Sequence, residues 1–343
     1  MRPRTVASLA VLLPLAAFAY PRPQPADEVV AAASAFLDGL SDAQRTKALF
    51  TFHDAERGNW AFVPGQYPGV ALAELDLAAR RRAHALLRTA LSETGYQAVL
   101  WIQRLELVLR ERESKPGQPA LHRDPERYSI ACFGDPRTES RFGLRFQGHH
   151  VSLNLLVVDG KLDAGTPLFL GANPHELRDG PFAGTRVLGR ADDLAHALLA
   201  SFDDEQRARA VLPGEVPADI VLGPGRKAEL LGAPRGIARS ALRDDQRAQF
   251  DALLATYAGY LRPEHAEREL ARLRSRGLDE VTFAWLGAST PSTPQYWRLH
   301  GKDFAIEWCN VQNEANHVHT VWNDLSNGFG SDVLRAHLQG ERR

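Results

Sequence analysis

Thiols are scarce in this chain: two cysteines, Cys132 and Cys309, occur in 343 residues. Neither belongs to a Cys-x-x-Cys pair, which excludes a thioredoxin-like redox motif and a cysteine-built zinc site. Charge of one sign is lacking as well. The formal net charge is -1, so no global field draws the protein to nucleic acid or to an anionic bilayer. No Gly-rich phosphate loop follows a strand pattern and no nucleophile elbow is present. The Gly223-Pro224-Gly225 stretch neither ends a strand nor opens a helix. What remains is a globular composition, 44% hydrophobic and 24% charged, with apolar material for one large core or two modest ones.

The first residues stand apart. A basic start, "MRPR", precedes the apolar run "TVASLAVLLPLAAFA", too short for a comfortable membrane span, and Ala17-Phe18-Ala19 is a small-x-small cleavage site. We expect a secretory signal peptide over 1–19, a proline-rich leader over 20–26, and a single domain over 27–340. The expected location is periplasmic or secreted, without stable membrane insertion once the signal is cut. An oxidising compartment permits a Cys132–Cys309 disulfide; two buried thiols are the alternative.

Periodicity divides the remainder. Helical spacing dominates from Asp27 to about Arg112, with Ser41 and Ser92 placed as N-caps, and returns between Arg190 and Gly277. Alternation marks "RYSIACFG" and "RFGLRFQGHHVSLNLLVVDGKL", then four short C-terminal strands, "VTFAWLG", "YWRLHG", "FAIEWC" and "HVHTVW". The expected class is α+β: two blocks of mainly antiparallel strands with helices packed around them. The hexapeptides "LSDAQR", "FDDEQR" and "LRDDQR" recur at Leu40, Phe202 and Leu242. They read as shared helix-start signals rather than an internal repeat, because no common period links the intervening sequence.

The polar strands carry the chemistry. In "GHHVSLNLLVV", parity groups His150 with Ser152 and Asn154, and His149 with Val151 and Leu153. In "NHVHTVW", His317 and His319 share one face. A His-x-His pair on a strand supplies two ligands to a transition metal, zinc or copper, and His150 or His149 can supply a third. Glu307 or Asp324 offers a carboxylate, and Arg298 lies on the polar face of its strand. The competing reading makes each histidine ordinary surface polarity. Trp308 and Trp322 face away from Glu307 and the histidines and read as core, while the aromatic crowd of Trp285, Tyr296 and Trp297 suits either a core or a cleft for a glycan or peptide.

Six segments, "RFGLRFQGHHVSLNLLVVDG", "GANPHE", "FAWLG", "YWRLHGKDFAIEW", "NEANHVHTVWND" and "GSDVLRAHL", resemble the domain-of-unknown-function 3500 family across most of the mature chain. The resemblance implies no reaction. It points to recurring positions, among them Gly148, His149, His150, Asn154, Asn173, Pro174, Trp285, Arg298, Glu307, Asn316, His317, His319, Trp322, Asp324 and His337. The chain departs from the family's pattern at Asn323 and Cys309, where charged residues are expected.

Two functions of different class follow. One is an exported metal-dependent enzyme, a hydrolase, with His149, His150, His317 and His319 as candidate metal ligands, Glu307, Asp324 and Arg298 as catalytic candidates, and Asn154, Asn173 and Asn316 as substrate contacts. Its substrate would be a small molecule, glycan or peptide. The other is a metal-free periplasmic binding or structural protein. The site expectation is that the two histidine-bearing blocks meet, with His150 rather than His149 facing His317, His319 and Glu307.

Overall fold

The computed structural model describes residues 25–330. The expected signal peptide, most of the leader, and His337 lie outside the described residues, while Pro25 and Ala26, read as leader, open the first helix.

The elements come in two similar series. The first runs α1 (Pro25–Asp38), α2 (Asp42–Ala48), β1 (Leu49–Phe50), β2 (Val70–Ala71), α3 (Leu77–Ala90), α4 (Glu93–Glu113), β3 (Ser129–Phe133), β4 (Arg141–Gly148), β5 (Val151–Val158), β6 (Lys161–Ala164) and β7 (Leu168–Ala172). The second runs α5 (Gly189–Ala200), α6 (Asp204–Ala210), β8 (Ile237–Ala238), α7 (Asp244–Ala258), α8 (Pro263–Ser275), β9 (Thr282–Gly287), β10 (Gln295–His300), β11 (Phe304–Gln312) and β12 (His317–Asp324).

Local sequence explains the starts. The Ser41 hydroxyl accepts from the Gln44 amide while the Gln44 side chain accepts from the Ser41 amide, a reciprocal cap repeated by Asp203 and Gln206. Ser92 caps α4 as expected.

Among the described residues all twelve strands form one sheet, ordered β1-β3-β4-β5-β7-β12-β11-β10-β9-β8, with β2 also on β3 and β6 also on β5. Among the described strands the β1–β3 pair is parallel and the other pairs are antiparallel, with one further parallel bridge between Val211 and Trp285. The two expected strand blocks therefore join, through the antiparallel β7–β12 pair.

The order is also symmetric about that junction, which corrects the expectation of no internal repeat. Arg145 pairs with Asn154 across β4–β5 as Arg298 pairs with Glu307 across β10–β11. Gly69 and Gly236, both at positive φ, each press on a strand carbonyl, of Ile130 and Phe283, where a Cβ would lie within 2.4 Å and 2.2 Å. Leu168 and Trp322, which occupy matching places, pair with each other, and so do Leu91 and Leu261 ahead of α4 and α8. Equivalent residues meet in this way across a two-fold axis. Two of the recurrent hexapeptides mark matching helices, α2 and α6. The third starts α7, whose counterpart α3 opens on Asp76 instead. The duplication stays hidden in the sequence because loops of different length separate conserved geometry, not conserved letters.

The helices pack on one face of the sheet. Alternate strand residues such as Ile130, Leu144, Leu153, Trp297, Trp308 and Trp322 enter this main core with Phe36, Leu86, Ile102, Leu199 and Phe250. On the opposite face, two long connections, following β1 and α6, cover the sheet. Trp60, Phe62 and Ile220 pack there on Phe169, Tyr296, Cys309 and Val321. Cys132 and Cys309 are both buried free thiols, so no disulfide joins them. Burial pushes each thiol up to about 12.

Candidate metal centre

The loop-covered face carries the histidines. His317 and His319 project from β12 on the side of Phe169, Cys309 and Val321. His150 arrives from the turn between β4 and β5. It is not a strand residue: its φ is +67°, a left-handed conformation uncommon for a side-chain-bearing residue. Two backbone hydrogen bonds hold it there, from the His150 amide to the Phe62 carbonyl at 2.9 Å and from the Gly171 amide to the His150 carbonyl at 2.7 Å. Gly171 leaves room for the ring, since a Cβ at that position would meet His150 ring carbons at 2.9 and 3.0 Å.

The three rings converge. His317 Nε2 lies 2.9 Å from His150 Nε2 and 3.1 Å from His319 Nε2, and the three form a group whose ligand atoms fall within 4.8 Å of one another. Imidazoles bound tetrahedrally at about 2.0–2.1 Å place their nitrogens about 3.3–3.4 Å apart, so a small spreading of the rings admits an ion.

Without a cation the arrangement is electrostatically awkward. One proton on His317 Nε2 serves only one of its two neighbours well. Protonating the cluster is disfavoured: burial first, then the neighbouring histidines, hold His150 well below its ordinary value and His317 down to about 3.

Asp219, on the connection after α6, completes the unit. Its Oδ1 lies 2.7 Å from His319 Nδ1 and also accepts from the Ile220 amide at 2.7 Å. A carboxylate on Nδ1 fixes the proton there and leaves Nε2 as a lone-pair donor, the usual outer support of a metal-bound imidazole. Phe62 meets the His319 ring edge-on with centroids 4.9 Å apart, and Phe169 lies behind it at 5.5 Å. His150 and His319 are buried, and half-buried His317 marks the approach from solvent.

The other expected site residues go elsewhere. His149 turns its polar edge away: its Nδ1 contacts buried Glu106, its ring lies tilted against His150 with centroids 3.7 Å apart, and Arg123 approaches it at 3.1 Å. His150 is therefore the member of this doublet that faces His317 and His319, as expected, though the turn rather than strand parity aims it. Glu307 shares the sheet face of His319 but not its company. Its carboxylate accepts from the Val221 amide at 2.7 Å, the Leu222 amide at 2.9 Å and the Tyr296 hydroxyl at 2.7 Å. Burial raises its pKa against the pull of these donors. Glu307 thus anchors the loop that presents Asp219 and is no free base.

Arg298 lies beside Glu307 under Leu231. Asn154 bonds Arg145, Ser152 and the Pro167 carbonyl, because the repeat makes it the partner of a buried arginine rather than a ring-orienting group. Asp324 points to the helix-covered face, where it pairs with Arg272 and caps Ser326 and Asn327. Strand parity separates it from the histidines. Asn316 brackets Glu176, accepting from its amide and donating to its carbonyl, and Asn173 accepts from Asn313, so both amides shape loops. Cys309 sits directly across from His319, and Asn323 lines a neighbouring cleft.

Asp219, Phe62 and Gly171 escaped the sequence reading. Asp219 lies in "EVPADIVLG", a stretch with neither periodicity nor motif, and long-range contacts fix its place, Glu307 on the Val221 and Leu222 amides and Ile220 packed under the loop.

A family model described as "Protein of unknown function (DUF3500)" matches residues 22–331. No curated protein and no solved structure matches the chain. Among the described residues no helix is long and apolar enough to cross a membrane.

Proposed function

We propose, from the premise that the chain belongs to the DUF3500 family and that this family brings no reaction with it, that His150, His317 and His319 hold a transition metal, zinc or copper, in an exported enzyme of the hydrolase class. The observation that carries the reading is the Asp219–His319 contact at 2.7 Å. It presets the tautomer in which His319 Nε2 joins the other two as a donor, and a polar surface cluster has no need of that arrangement.

A zinc ion held by His150, His317 and His319 would supply a bound water whose pKa lies near neutrality. The chain's own residues do the rest. Asp219 holds the His319 proton on Nδ1. Phe62 and Phe169 close one side to solvent. His317 is half-buried while His150 and His319 are buried, and so little exposure suits a small substrate or the end of a glycan or peptide better than a folded polymer.

One observation favours a second reading, a metal-holding protein without turnover. The carboxylates nearest the cluster are already engaged: Asp219 by His319, Glu106 by His149, and Glu307 by two amides and Tyr296. Activity of the metal-loaded protein on ester, peptide and glycoside panels separates the two readings.

The metal itself is tested by elemental analysis of protein purified from the periplasm without a metal-binding tag. Wild type is expected to carry zinc or copper, and His317→Ala/His319→Ala to carry none. Equal metal content in both proteins refutes the centre. Export is tested by intact mass: mature protein is expected to begin near Tyr20, and retention of Met1 in exported material contradicts it.

A further inference from the structure

At the same end of β12, but on the helix-covered face, a separate cleft of about 390 Å³ opens between the segment after β7, the start of α5 and the loop before β10. His175, Asp192, His196 and Ser292 line it. None of these belongs to the metal cluster, and the inference does not rest on the metal.

The fold holds His175 firmly by its backbone, with its amide bonded to the Asn316 carbonyl at 2.7 Å and its ring edge-on to Trp308 at 5.5 Å. Its side chain is left wanting. His175 is 6% exposed, yet neither ring nitrogen has a hydrogen-bond partner. The nearest acceptor, Asp192 Oδ2, lies 3.4 Å from Nε2, long for a hydrogen bond. Gln295 is fully buried and gives its amide nitrogen to Asp192 and His196, while its Oε1 is also unpartnered. A buried polar group without a partner is the mark of a missing ligand or water.

The charges of the lining identify the class of ligand. Arg186 pairs with Asp192 and Asp193, and Arg178 lies 3.8 Å from Glu176. An anion or a cation competes with these contacts for its partner. A metal ion is a poor fit, because His175 and His196 approach opposite oxygens of Asp192 at 3.4 and 3.5 Å and do not converge. What stays without a hydrogen-bond partner is the pair of ring nitrogens of His175, with the exposed Ser292 hydroxyl on the same lining. Adjacent hydroxyl groups match such a set, since each both donates and accepts.

We propose that this cleft binds a small uncharged polyhydroxyl molecule of the sugar class, with His175 as its central hydrogen-bond partner. Titration of the full exported chain with D-glucose, D-galactose and N-acetylglucosamine, by calorimetry and ligand-observed NMR, tests it, with inorganic phosphate and glycine as charged probes. At least one sugar is expected to bind saturably, with affinity reduced about tenfold or more in His175→Leu through the loss of one or two buried hydrogen bonds.

Should His175→Leu fail to fold, Arg178→Trp decides the matter. It alters a half-exposed lining residue and is expected to block the cleft sterically. The proposal is overturned if no sugar binds at 50 mM, if binding survives in folded His175→Leu or, where that variant does not fold, in Arg178→Trp, or if phosphate or glycine binds there in preference.

Discussion

Removing the Asp219 carboxylate tests the metal centre at its most specific point. Asp219 touches the cluster only through His319 Nδ1, at 2.7 Å, and its side chain is 36% exposed, so the protein should tolerate its loss. In the free protein the substitution removes one charge-assisted hydrogen bond and the preference for the Nδ1–H tautomer. Outer-shell partners of this kind are worth about 10–100-fold in metal affinity, or about 1.4–2.8 kcal/mol. Asp219→Asn keeps an acceptor for the Ile220 amide and for His319 but loses the charge, and should fall near the tenfold end. Asp219→Ala should fall near the hundredfold end. The assay is zinc binding by competition with a chromophoric chelator at fixed pH, with far-UV circular dichroism to establish that each variant is folded. At saturating zinc the melting temperature should rise less in Asp219→Ala than in wild type, because stabilisation follows the ratio of metal concentration to dissociation constant. If folded Asp219→Ala binds zinc within twofold of wild type, the carboxylate does not support a metal ligand and the reasoning fails.

Other perturbations reach the same architecture from different sides. Glu307→Ala strands two amide donors and the Tyr296 hydroxyl, at about 1–3 kcal/mol for each group left unsatisfied; urea denaturation should show a loss of several kcal/mol, and an unchanged midpoint would mean that the loop does not depend on this anchor. Gly171→Ala drives a methyl against the His150 ring and should weaken metal binding more than it lowers the melting temperature, whereas equal metal affinity would show that the ring can yield. Burial, then nearby Arg298, lowers His300 to about 4, so between pH 6.5 and 4 the unfolded chain binds a proton that the fold refuses. Stability from this group therefore falls as pH drops through that window and is full above it. The stability–pH curve of His300→Gln should be flatter there, and a parallel curve rejects the assignment. Thiol titration of unreduced protein in denaturant should count two free cysteines, and none would mean that a bond forms in the exported protein.

Much of the site's outline was legible because it obeys strand parity, and the rest was not because it does not. His317 and His319 could be placed together from "HVH" alone, and the inward turn of Trp308 and Trp322 followed from the same alternation. The meeting of the two strand blocks was an expectation from polar faces that needed partners, and the β7–β12 pairing provides it. His150 was placed facing the histidine pair for an incomplete reason, since a left-handed turn residue has no parity. Glu307 and Asp324 show the limit of counting by twos. Parity gave Glu307 the right face, but hydrogen bonds from a segment about 85 positions away in sequence decide what its carboxylate does. Asp324 lies on the other face from His317 and His319, where Arg272 of α8 meets it. Loop-borne groups such as Asp219 are set by long-range contacts that leave no local period.

The duplication has a consequence for stoichiometry. The turn matching His149 and His150 is Lys302 and Asp303, and counting back from the matched Leu168 and Trp322 puts Asp163 and Gly165 where the second series has His317 and His319, so the first series has no histidine there. A scaffold with two related halves thus offers two mirror positions but equips one, drawing His150 from one half and His317, His319 and Asp219 from the other. Metal uptake should stop at one equivalent per chain. If the polypeptide is divided between β7 and α5, neither fragment owns a complete ligand set, so tight metal binding becomes a reporter of fragment complementation: silent for each piece alone and recovered only when the two reassociate across the β7–β12 seam.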